Sequence, residues 1–193
     1  MKLYKIHDII NKISSDILTR EGNGMTKFID REAETATLEN EYARNGSSLV
    51  ILYGRRRVGK TSLINKFIEG KNALFFLASE ESEAQNRESF KQRAADFINS
   101  SLLRHAAVSN WDVIFKAIID TEFDKKPIIV MDEFQYIGKS NPAFPSIFQR
   151  LWEEILKNKS VMVILCGSLI SMMESQTLTM TARCTVAEPL RYA

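Results

Sequence analysis

Residues Gly54-Arg-Arg-Arg-Val-Gly-Lys-Thr61 carry the densest chemical signal in this chain. Two glycines at this separation, followed at once by Lys60 and Thr61, satisfy the G-x-x-x-x-G-K-[ST] spacing of a phosphate-wrapping loop. Backbone N–H groups in such a loop converge on an oxyanion, and a side chain at either glycine obstructs their path. Lys60 then reaches β- and γ-phosphate oxygens, and Thr61 offers its hydroxyl to Mg²⁺. A helix opening at Lys60 aims its positive end at the same anion. The expected nucleotide-binding set is Gly54, Arg55, Arg56, Arg57, Val58, Gly59, Lys60, Thr61 and Ser62, with ATP and Mg²⁺ as cofactors. The plainer alternative is a basic surface turn between strand and helix. The three arginines stay open in role: phosphate, nucleic acid, acidic groups elsewhere in the domain, or solvent.

A second cluster follows at Ile128-Ile-Val-Met-Asp-Glu133. An apolar strand that ends in two acids, parallel to the strand feeding the phosphate loop, brings Asp132 near the bound Mg²⁺. Glu133 is then placed to take a proton from an attacking water. Alone, this pattern also fits a strand ending in solvated carboxylates; its place after the phosphate loop favours the metal-and-base reading. Arg150 closes a helical stretch, from which it could reach a neighbouring subunit's nucleotide. His7 and His105 have no acidic or serine partner nearby in sequence and read as surface residues.

These groups need a scaffold that lines up strand ends. Ser48–Tyr53, Ala73–Ala78, Pro127–Asp132 and Val161–Cys166 are apolar throughout rather than alternating, and helical patterns separate them. Such runs signal a parallel sheet covered on both faces. Helices are expected at 60–69, 84–105, 111–120 and 143–158, with one more after Asp30, whose carboxylate can cap it. With 45% hydrophobic and 26% charged residues the chain has a soluble globular profile, and its net charge of +2 gives no broad field for nucleic acid or an anionic membrane. No apolar run reaches the ~20 residues of a membrane span. Cys166 and Cys184 form no C-x-x-C pair, so a reduced cytoplasmic protein is expected. Residues 1–24 read as an amphipathic helical extension, with Ile6, Ile9, Ile10, Ile13 and Ile17 at helical spacing.

The segments FIDREAETATLENEY (28–42), LYGRRRVGKTSLINKF (52–67), IIVMDEFQYI (128–137), FPSIFQRLWEEIL (144–156) and VILCGSLISMMES (163–175) together resemble the archaeal-type P-loop ATPases of the AAA+/STAND-like group. The resemblance covers residues 25–179. It implies a three-layer α/β/α sandwich with sheet order 5-1-4-3-2, ATP binding, and hydrolysis coupled to an effector, often a nuclease-like C-terminal domain. It places the opening box Phe28–Glu32 near the adenine. It also puts the strand ending at Ser168 between the phosphate-loop and acidic strands, so Ser168 would contact the γ-phosphate or the attacking water. A helix cap is the plainer role for Ser168. The catalytic set is thus Glu133, Lys60 and Ser168, and the metal set Thr61 and Asp132. Beyond ATP, a protein partner or a second copy of the chain is expected; nucleic acid rests on the arginine loop alone. The alternative function is a nucleotide-operated switch with little or no hydrolysis.

The resemblance lapses after Ser175. With one choice of synonymous codons, a single T restored after codon 179 turns Thr177–Tyr192 into Thr-Leu-Thr-Tyr-Asp-Gly-Ala-Leu-Tyr-Gly-Arg-Arg-Thr-Ala-Gln-Ile, which resembles the family's continuation. Residues 180–193 are therefore expected to be an out-of-frame tail. The fifth strand would be missing, or improvised from Thr185–Ala187, and turnover would be impaired. Resequencing codons 177–193 is expected to reveal a reading that one inserted base restores; a tract that no single insertion restores refutes the frameshift.

Overall fold

The computed structural model describes residues 31–54, 57–168 and 184–187. The expected N-terminal helix, Phe28 to Asp30 of the opening box, Arg55, Arg56 and the tail other than 184–187 lie outside them.

The chain runs α1 (Glu32–Ala43), β1 (Ser48–Tyr53), α2 (Lys60–Ile68), β2 (Ala73–Leu77), α3 (Glu83–Phe97), α4 (Ser101–His105), α5 (Trp111–Ile119), β3 (Ile128–Asp132), α6 (Gln135–Ser140), α7 (Phe144–Leu151), β4 (Met162–Gly167) and β5 (Cys184–Ala187). The five strands form one sheet in the order β2-β3-β4-β1-β5, and every pairing is parallel. This is the expected 5-1-4-3-2 order. A fifth strand is present, and Leu49 to Leu52 of β1 pair with Cys184 to Ala187. That pairing covers the apolar outer edge β1 would otherwise present.

The uninterrupted apolar runs have a geometric cause. Successive side chains on a strand point to opposite faces. Leu49, Ile51, Ile129, Met131, Val163 and Leu165 face one layer, packed with Phe90, Trp111, Phe115 and Phe148. Val50, Leu52, Ile128, Val130, Met162 and Ile164 face the other, packed with Leu38, Leu63, Ile64 and Phe67. Both faces are dry, so both positions of the alternation must be apolar. The thicker layer is tied by rings: Phe90 lies 5.3 Å from Phe76, 5.3 Å from Trp111 and 5.2 Å from Phe115, centroid to centroid.

Two helical stretches are shorter than their periodicity suggests. The expected helix over 84–105 is split. Its first half starts on a capping box, in which Ser82 Oγ accepts from the Gln85 N–H at 3.3 Å and Gln85 Oε1 accepts from the Ser82 N–H at 3.1 Å. It stops before Asn99, which takes φ 50°, and Ser100 then caps a new turn by accepting from the Leu103 N–H at 3.2 Å. The expected helix over 143–158 is an α-helix to Leu151 that widens into a π-helical turn at Trp152–Leu156. A further short helix, α6, precedes it. Arg31 occupies the cap position of α1 and caps nothing with its side chain.

Phe90→Ala removes a fully buried ring that three other rings enclose. Urea unfolding should show a loss of ~3–5 kcal/mol, with the far-UV spectrum of the folded state unchanged.

Candidate functional site

All the strands end on one side of the sheet, and the predicted groups collect there. β4 lies between β1 and β3, with Leu52 opposite Cys166. The phosphate-loop strand and the acidic strand are thus two strand spacings apart, about 9.5 Å. Thr61 closes this gap. It stands in the first turn of α2, and its Oγ1–H donates to Asp132 Oδ2 at 2.7 Å. Asp132 is buried, and its Oδ1 accepts from the backbone N–H of Glu133 at 2.9 Å.

The loop itself folds tightly. Arg57 takes φ 66° and Gly59 φ 79°, both left-handed, so the backbone curls back before α2 begins. Lys60 Nζ donates to the Gly54 carbonyl at 2.9 Å, across the mouth of the loop. Arg31 closes over it: a Cβ added at Gly59 would sit 3.5 Å from Arg31 Nη2. A side chain at Gly59 would therefore meet both strained backbone and a guanidinium. Arg57 and Ser62 are exposed, and Val58 is half-buried.

Glu133 sits at φ 52°, a left-handed conformation that a non-glycine residue adopts at a cost of ~1–3 kcal/mol. That turn sends its carboxylate toward β4. Gln135 Nε2–H donates to Glu133 Oε2, and Ser168 Oγ lies 3.5 Å from the same oxygen. Gln135 is 1% exposed. Ser168, which follows the last residue of β4, is bonded twice to the Gln135 amide: its N–H donates to Oε1 at 3.3 Å, and its Oγ accepts from Nε2 at 3.2 Å. The sequence set Lys60, Thr61, Asp132, Glu133 and Ser168 is thus brought to one edge. Gln135 joins it with no signal in the sequence beyond standing two residues after Glu133.

Arg150, expected to reach a neighbouring subunit's nucleotide, is exposed and ion-paired within its own chain. Both its guanidinium arms hold Asp112, at 2.7 and 3.0 Å, and one arm also reaches Glu154 at 3.3 Å. His105 is exposed at the end of α4, as expected.

Two oxygen groups in contact, an alcohol and a carboxylate, are the donors that Mg²⁺ takes when phosphates and waters supply the rest of its shell. Thr61 and Asp132 fit that ion. Among the described residues no cluster of three or more His, Cys, Asp or Glu offers a metal cage. Beneath them lies Cys166. Burial pushes its thiol far above the ordinary range, and the neighbouring Asp132 carboxylate, which accepts its hydrogen bond, pushes it further.

A family model described as an ATPase domain predominantly from Archaea matches residues 28–190. An uncharacterized protein of Methanocaldococcus jannaschii is 36% identical over 152 residues, which is 79% of this chain and 32% of that protein. An uncharacterized ATP-binding protein of the same archaeon is 52% identical over 48 residues, 25% of this chain and 81% of that one. Among solved structures, the Walker-type ATPase of Pyrococcus abyssi is similar with a TM-score of 0.54 at 20% identity, over 89% of this chain and 57% of that one. Cdc6p from Pyrobaculum aerophilum gives 0.61 at 18% identity, over 92% of this chain and 50% of that one. At those identities the solved structures show the fold alone. The chain spans about a third of the first M. jannaschii relative's length, as its 32% coverage states. No helix among the described residues is long and apolar enough to cross a membrane.

Cys166 should stay unalkylated when the folded protein is treated with iodoacetamide at pH 8 and become labelled in urea, as peptide mapping by mass spectrometry will show. Labelling at equal rates in both conditions contradicts the buried, Asp132-bonded thiol.

Proposed function

The chain belongs to the family of ATPase domains found predominantly in Archaea, and from that premise we propose that its strand ends form a Mg²⁺-dependent ATP-hydrolysing site. The observation that carries this reading is the 2.7 Å bond from Thr61 to Asp132 across β4. It brings the hydroxyl of the phosphate loop against the first strand-end acid, where one ion could hold both.

In this reading the backbone from Gly54 to Ser62 receives the β-phosphate, with Val58 and Gly59 shaping the turn. Lys60 gives up the Gly54 carbonyl for β- and γ-phosphate oxygens, exchanging a neutral acceptor for an anionic one. Thr61 and Asp132 would hold Mg²⁺, which screens phosphate charge as it builds up during transfer. Glu133 accepts the proton of the attacking water, and Ser168 meets the γ-phosphate or that water. Arg31 lies against the loop at Gly59, within reach of a bound phosphate. Arg55, Arg56 and Arg57 add positive charge around the phosphates.

A second reading has a specific observation behind it. The carboxylate of Glu133 is engaged by Gln135 and Ser168 rather than standing clear. A base held in that way suits a nucleotide-operated switch that hydrolyses slowly. In either case the moving part would be an effector, and the first relative's greater length leaves room for one. The cytoplasm is the compartment that supplies ATP to either device.

Calorimetry and phosphate-release assays on the purified chain separate these outcomes. Lys60→Ala should weaken ATP binding by about a hundredfold. Glu133→Gln should keep ATP binding while slowing release of phosphate by about 10²–10⁴. Wild-type turnover no faster than Glu133→Gln, with tight binding in both, supports the switch. Undiminished binding by Lys60→Ala refutes the nucleotide site.

A further inference from the structure

The proposed chemistry assigns no task to Gln135, although it is among the few polar side chains that are fully buried. Its carboxamide makes three bonds, and all three go to groups of the site: Nε2 to Glu133 Oε2, Nε2 to Ser168 Oγ at 3.2 Å, and Oε1 from the Ser168 N–H at 3.3 Å. Only an amide can make this set. It must donate twice and accept once from one planar group, which a carboxylate, a hydroxyl or an ammonium cannot do. Glu133 Oε1, the other oxygen of the carboxylate, has no hydrogen bond among the described residues.

The backbone around the amide is built to produce this contact. Glu133 enters a left-handed turn at φ 52°, and Gln135 follows in the first turn of α6. The Phe134 N–H donates to the Cys166 carbonyl at 2.9 Å, which pins this turn to β4 two residues before Ser168. Phe134 is itself fully buried against Phe144 and Phe148. The amide therefore cannot drift without carrying Glu133 or Ser168 with it.

From this geometry we infer that Gln135 is a positioning residue that couples Ser168 at the end of β4 to the Glu133 carboxylate, so that the presence of a γ-phosphate at Ser168 sets where the base stands. The inference rests on the nucleotide-site reading above and deepens it. Ser168 has one hydroxyl to give. When a γ-phosphate takes it, Ser168 gives up its 3.5 Å bond to Glu133 Oε2 while its oxygen still accepts from Gln135 Nε2, so the amide becomes the link between Ser168 and the carboxylate, and its grip on Oε2 changes in the same step. Bonds sharing one buried donor group are coupled in this way.

The coupling is read from nucleotide discrimination, which packing alone does not alter. The affinities of fluorescent ATP and ADP analogues with Mg²⁺ are to be measured on wild type, Gln135→Met, Ser168→Ala and the double variant, each checked by urea unfolding. Gln135→Met keeps the length of the side chain and removes all three bonds. The expected result is ADP affinity within about twofold of wild type and a preference for ATP over ADP that falls about tenfold. Ser168→Ala should lose a similar preference, and the double variant should be no worse than either single one. Gln135→Glu offers a second probe, since its anionic form cannot donate to Glu133; it should lose the same ATP preference at pH 8. An unchanged ATP preference in both Gln135 variants overturns the inference and leaves the nucleotide site standing. So does a strictly additive double variant, or a parallel loss of ATP and ADP binding with a lowered unfolding midpoint. Failure of the wild-type chain to bind either nucleotide overturns the nucleotide-site reading, and this inference with it.

Discussion

The arrangement depends on one contact that has to cross a strand. Thr61 belongs to the element after β1 and Asp132 to the end of β3, yet β4 runs between those strands. A hydroxyl reaches the carboxylate only because α2 begins directly at the loop and projects its first turn over the tip of β4. The constraint spreads outward. β4 ends level with β1, Gly167 opposite Tyr53, and Ser168 follows at its tip. The loop must turn sharply enough to start a helix at Lys60, and left-handed Arg57 and Gly59 supply the turn. Both helix layers then have to press on a sheet whose order is already settled.

Against that constraint, parts of the sequence are easy to read and others are not. The phosphate loop is legible because its chemistry leaves little freedom: two glycines, a lysine and a hydroxyl at fixed separations. Asp132 and Glu133 are legible because acids directly after a dry strand must stand at its end. The insertion of β4 between β1 and β3 follows from no local pattern, since each strand reads the same; it came through likeness to a family. Gln135 was hidden for another reason. Two residues beyond Glu133, in a short helix containing Gly138, it reads as ordinary loop polarity. Only the left-handed turn at Glu133, which no residue type there announces, folds the amide back onto the acid.

The helical errors have an equally local origin. Apolar periodicity runs on across Ile98 and Leu102, so the stretch 84–105 looks continuous. Yet Asn99 and Ser100 are residues that compete with the helix by bonding their own backbone. Ser100 does this, accepting from the Leu103 N–H. Periodicity records which side faces the core; it does not record whether the axis is unbroken. Arg150 shows the same limit for charge. Its place at a helix end suggested reach toward another subunit; that Asp112, far away in sequence, would face it had no local signal.

The pairing of Ser48 with Met162 means that the first strand of the sheet meets its main neighbour only after most of the described chain has been made. On the ribosome, β1 would emerge with both of its apolar faces and both of its edges bare, and it would wait for a segment not yet translated. Closure between such distant partners is slow, since the entropy of the intervening chain opposes it until the last contacts form. During that interval the nascent segment Leu49–Leu52 is an apolar strand with unpaired edges, open to association with other chains. The same topology that sets the acid beside the loop thus leaves the first strand waiting longest for its partners during synthesis.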